Sequence, residues 1–161
     1  MHDVQVLANV FRRNMWVIDR QADGLSHSDS LLQPESRGNC LNYVLGHMMS
    51  SRETVMRMLG LEPMMTPEER TRYGSDTDPI AEDGEGVVPL ARLLELLTTS
   101  TERIIESVEK LSPQDLEMEV QLGQSTATLG QRLEFFGWHE AYHVGQTEYL
   151  RQLAGTDDKV I

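Results

Sequence analysis

Apolar residues recur at three- and four-residue spacing over most of the chain, while strict alternation is nearly absent. Such a chain buries its apolar surface by packing helix on helix. Val4, Leu7, Ala8, Phe11, Met15 and Ile18 form the first stripe. The second spans residues 39–59, with Asn39 as expected N-cap and Gly60 as stop. Leu90, Leu93, Leu97, Thr101, Ile104, Val108 and Leu111 mark the third. The fourth runs from Thr128 to Ala154, and Gln131 three residues after Thr128 predicts a capping box. The expected fold is all-α, a four-helix bundle forming one domain over residues 1–161. Its connectors are unequal, which argues against a simple up-down-up-down repeat. Residues 22–38 are rich in Ser, Asp and Gly. Residues 60–88 hold Pro63, Pro67 and Pro79, with a short helix predicted to start at Thr66-Pro67. Residues 74–86 are acidic and read as mobile, and residues 117–122 read as extended.

Charge and cysteine usage exclude several functions. The 14 Lys+Arg face 26 Asp+Glu, a formal net charge of −12. That argues against nucleic acid, whose backbone is bound by displacing counterions with Lys and Arg, and against an anionic membrane surface. A single cysteine makes no internal disulfide. The first twenty residues have no basic start followed by an apolar run, and no stretch approaches the ~18 apolar residues of a membrane span. A cytoplasmic protein is expected.

Three of the five histidines fall on the long helices. His139 and His143, at i and i+4, share one face about a turn apart, within reach of one ion. Arg132, Phe135, Phe136, Gln146 and Leu150 share that face, so it is expected to point into the bundle. His47 lies midway along the second helix on a face with Cys40, Tyr43 and Val44. Three inward imidazoles need partners for six ring nitrogens, and one shared divalent metal satisfies three of them. A three-histidine set leaves positions open for water or substrate. Cys40, on the order of 10 Å from His47 along the axis, is too far to share the ion and reads as a small buried hydrophobe. His2 and His27 are expected to face solvent.

Further candidates surround this set. Glu140, about 60° around the helix from His143, is an acceptor or general base if it turns to the site, and a solvated carboxylate if it does not. Gln146 hydrogen-bonds a ligand or a ring N–H, or caps the backbone; Tyr43 lends its hydroxyl to the cavity or packs as core. Gly46 and Gly137 flank the histidines, which implies close helix approach or room for a bound molecule. The nine methionines suit an adaptable pocket or fill core gaps. Few basic residues are available for an anionic substrate: Arg132, Arg52 and Arg151.

The segments Asn42-Tyr43-Val44-Leu45-Gly46-His47-Met48 and His139-Glu140-Ala141-Tyr142-His143-Val144-Gly145-Gln146 resemble the DinB-like superfamily of metal-binding four-helix bundles. The resemblance spans nearly the whole chain. It implies a divalent metal, zinc or nickel, on His47, His139 and His143, and a homodimer. It also implies a small-molecule substrate and a thiol-dependent S-transferase in which the metal activates a low-molecular-weight thiol such as mycothiol or bacillithiol. Glu140, Gln146 and Tyr43 would orient the acceptor. A metal-dependent hydrolase at the same centre, or a non-catalytic stress-related metal-binding dimer, are the alternatives.

Overall fold

The computed structural model describes residues 2–35, 38–156 and 158. Four long helices, α1 (Val4–Ala22), α3 (Leu41–Met58), α5 (Leu90–Val108) and α7 (Leu129–Leu153), form the bundle. Between them lie α2 (His27–Ser30), α4 (Pro67–Arg72), α6 (Pro113–Leu116) and a hairpin of β1 (Glu119–Leu122) and β2 (Ser125–Thr128). Helices α5 and α7 each pack against both α1 and α3, so α1 and α3 occupy opposite corners, as do α5 and α7. The first and third connections therefore cross the bundle diagonally and carry α2, α6 and the hairpin, while the longest, residues 59–89 with α4, joins the neighbours α3 and α5. Phe11, Ile18, Leu45, Met48, Leu93 and Leu133 fill the centre, all fully buried. Among the described residues no helix is long and apolar enough to cross a membrane.

Local chemistry sets the ends of these elements. Capping boxes close at Ser26 with Asp29, Thr66 with Glu69, Ser112 with Asp115, and Thr128 with Gln131, each satisfying two backbone donors. Helix α3 departs from expectation. Asn39 does not cap it; Cys40 holds that position without a side-chain cap bond, its thiol buried and turned toward the Ile80 carbonyl. Burial of the thiol outweighs the ~1 kcal/mol a side-chain cap contributes. Gly60, in the left-handed region at φ 71°, ends the helix as expected.

The hairpin adds a strand that the sequence pattern does not show. Residues 119–122 are extended as expected, and they pair antiparallel with β2, Glu119 opposite Thr128 and Leu122 opposite Ser125. The Ser and Thr of β2 carry no alternation to read. The acidic connector is anchored at its middle, where Ile80 is buried in the core. Two histidines also differ from expectation. His2 pairs with Glu134 at 3.2 Å, and Nδ1 of its ring lies against Gly130 of α7. His27 accepts the Leu90 N–H at 3.2 Å, capping α5 where Pro89 offers no side-chain bond.

Candidate metal centre

Helices α3 and α7 bring three imidazoles together. The Nε2 atoms of His139 and His143 are 3.2 Å apart. The His47 ring, from α3, has its centroid 4.9 Å from that of His143 and 5.4 Å from that of His139. One ligating nitrogen from each lies within 4.8 Å of the others. Ligand bonds of ~2.0–2.1 Å in a tetrahedral arrangement place donor atoms about 3.4 Å apart, so the pair on α7 already has ligand spacing.

The far side of two rings fixes what the near side offers. His47 Nδ1–H donates to the Tyr73 carbonyl at 3.2 Å, and His143 Nδ1–H donates to Gln146 Oε1 at 2.8 Å. The Nε2 atoms of both rings are thereby turned toward the cluster, the orientation that suits metal ligation. Nδ1 of His139 is buried and has no hydrogen-bond partner among the described residues. Burial, then the neighbouring imidazoles, pushes His139 below the ordinary histidine value. Burial does the same at His143, against the upward pull of the Gln146 hydrogen bond. Both rings are therefore neutral at neutral pH, the form that binds metal. Three imidazole nitrogens from two helices fit a divalent metal ion of borderline softness.

A cleft of about 320 Å³ opens beside His47 and His143, lined also by Pro34, Gly38 and Asn39, α3 and the C-terminal half of α7. Val44 and Leu150 give it apolar walls, with Asn39 and Gln146 as neutral polar groups. Among the described residues lining it, none is a carboxylate or a cation. Tyr43 also lines it, its ring parallel to that of His47 at 6.1 Å, but its hydroxyl donates to the Gly74 carbonyl at 2.8 Å. Glu140 turns elsewhere. Only 3% exposed, it holds Arg52 of α3 through both oxygens, Nε to Oε2 at 2.7 Å and Nη2 to Oε1 at 2.8 Å. It is neither a solvated carboxylate nor a free base.

The histidine face itself lies at the rim of the bundle. All three rings are half-buried and Phe135 is half-exposed, whereas the fully inward stripe of α7 is Leu133, Gly137, Glu140, Val144 and Thr147. Exposed Phe135, Trp138 and Tyr142 mimic a core stripe and mislead the pattern. The glycines serve close approach. A Cβ on Gly46 would enter the Tyr73 ring, and one on Gly137 would meet Val10 of α1 at 2.9 Å. Met48, Met49 and Met56 fill the core and do not line the cleft.

Two residues important to the site lie outside the sequence reading of it, Tyr73 and the role of Arg52. Tyr73 reaches α3 only because the 60–88 connector folds back. Arg52 carried a signal: it falls in the buried stripe Met48, Met49, Val55 and Met56, where a charge requires a partner. Of the basic residues considered for an anionic substrate, Arg52 is bound by Glu140. Arg132 donates to Ser125, and Arg151 holds the Gln21 and Asp23 carbonyls.

A sequence model of the DinB superfamily matches residues 17–147. Among solved structures, a conserved protein from Enterococcus faecalis has a TM-score of 0.74 at 14% identity. The alignment covers 97% of this chain and 99% of that one, and at this identity the likeness is one of fold. No curated protein matches the chain in sequence.

Proposed function

The chain belongs to the DinB superfamily, and on that premise we propose that it is a divalent-metal-dependent enzyme, a thiol-dependent S-transferase whose ion is held by His47, His139 and His143. The observation that carries this reading is the convergence of three imidazoles beside an open cleft. A purely structural site closes its coordination with protein ligands and has no adjoining cavity. When bound, zinc or nickel would supply Lewis acidity that lowers the pKa of a thiol, making thiolate available near neutral pH.

The chain's own residues do the rest. Tyr73 and Gln146 hold the His47 and His143 rings in the tautomer that presents Nε2. Val44 and Leu150 exclude water from one side of the cleft, and Asn39 offers an uncharged hydrogen-bonding group to a substrate. In the transfer, the S–H proton passes to water, sulfur forms a bond to an electrophilic carbon, and the leaving group departs from that carbon with its electron pair. The enzyme works in the cytoplasm as a homodimer on a small-molecule substrate. The groove between α1 and α7, flanked by exposed Val6 and Trp138, supports a second copy as its cover.

The test is conjugation of a low-molecular-weight thiol to an electrophile such as monochlorobimane, using zinc- or nickel-loaded protein. Thioether formation well above the uncatalysed rate is expected, and His143→Ala abolishes it together with most bound metal. Thermal stability of His143→Ala falls less than that of Leu93→Ala, whose fully buried side chain is worth about 2–5 kcal/mol. A metal-loaded parent that conjugates none of the common thiols contradicts the proposal.

A further inference from the structure

The buried pair Arg52–Glu140 sits where the two ligand-bearing helices meet. Glu140 follows His139 directly on α7, and Arg52 lies five residues after His47 on α3, about 7.5 Å along the axis. Arg52 is fully buried. Its fork grips both Glu140 oxygens at 2.7 and 2.8 Å. Its remaining nitrogen, Nη1, donates to Ser100 Oγ at 3.0 Å, to Thr101 Oγ1 at 2.7 Å and to the Leu97 carbonyl, all on α5. One guanidinium thus ties three of the four long helices together.

The apolar packing around it specifies position poorly. Met48, Met49 and Met56 give α3 a core face rich in methionine, a flexible side chain that fills gaps of many shapes. Such a face by itself fixes the axial position of α3 only weakly. Metal ligation tolerates only about 0.2 Å of error in ligand distance, so a slip of even one ångström between α3 and α7 removes His47 from the cluster. A bidentate guanidinium–carboxylate pair is directional in the way methionine contacts are not.

We infer that Arg52 and Glu140 are positioning residues, a pin that sets the register of α3 against α7 and so brings His47 to the His139–His143 pair. The role rests on the metal-site reading given above. Buried ion pairs add little net stability over well-packed apolar replacements and in some proteins fix a unique arrangement instead. Specificity of register is what a site shared by two helices requires.

The test separates register from stability. Arg52→Met with Glu140→Leu replaces the pair by apolar side chains of similar volume. The double variant is expected to melt at or near the parent temperature. Its zinc affinity, measured by competition with a chromophoric chelator, falls about 10–100-fold, the usual effect of losing a group that orients metal ligands. In the metal-free proteins, nuclear Overhauser contacts between the His47 ring protons and those of His139 and His143 are strong in the parent and weakened in the variant. Parent-like zinc affinity together with parent-like ring contacts overturns the inference. Should the double variant not fold, Arg52→Lys serves: it keeps the charge without the fork, and unchanged affinity and contacts again overturn the inference. A parent that binds no zinc refutes the metal reading instead, and the ring contacts alone then decide the positioning role.

Discussion

Gly46→Ala is expected to lower stability by about 3–5 kcal/mol and to weaken metal binding in the same protein. A Cβ at this position overlaps Cγ, Cδ1 and Cε1 of the Tyr73 ring. The ring has nowhere to go. It is fully buried, and its hydroxyl donates to Asn42 Oδ1 at 2.7 Å while accepting the Val88 N–H at 2.8 Å. Expelling it breaks both bonds and strands buried polar groups. It also withdraws the carbonyl that orients His47, at 3.2 Å from Nδ1. At about 2–4 °C per kcal/mol for a chain of this size, the melting temperature falls on the order of 10 °C. The phenol supplies a second readout. Burial pushes Tyr73 up to about 12, so the native protein loses stability as pH rises past the unfolded value of ~10 toward that figure. In Gly46→Ala the displaced phenol titrates near the ordinary tyrosine value. Parent-like melting and parent-like zinc affinity in this variant contradict the packing described.

Glu140→Ala is expected to destabilise by a similar amount, about 3–5 kcal/mol, for an electrostatic reason. The substitution leaves the Arg52 guanidinium at 0% exposure, its charge uncompensated and two of its nitrogens without the carboxylate oxygens they now bind. Arg52→Ala strands Glu140 in the same way. The neutral variant Glu140→Gln keeps part of the hydrogen bonding and loses less. Exposed pairs such as Arg12–Glu109 give no comparable loss, because water screens both partners. Thermal melts followed by circular dichroism check this, and a Glu140→Ala melt within a degree or two of the parent contradicts it.

Much of this molecule is legible from residue order, and the exceptions have physical causes. The stripes of α1 and α5 are clean because each helix buries one apolar face. The pairing of His139 with His143 follows from helical spacing alone. The inward face of α7 is harder, since Glu140, Gly137 and Thr147 occupy it while Trp138 and Tyr142 lie outside at 62% and 60% exposure. A pattern rule assigns aromatics to the core and carboxylates to water, and here both are reversed. The meeting of His47 with the α7 pair depends on how α3 seats against α7, which no local pattern encodes. The anchoring of His47 by Tyr73 spans 26 residues of connector and becomes visible only once the chain has folded back.

Zinc stoichiometry and affinity in the parent and in His47→Ala, measured under identical conditions, test the shared site most directly. One ion per chain is expected in the parent, with at least a 100-fold weaker hold in the variant, on the order of 3 kcal/mol or more. Equal binding by parent and variant, or a parent that binds no ion, contradicts a centre built from both helices.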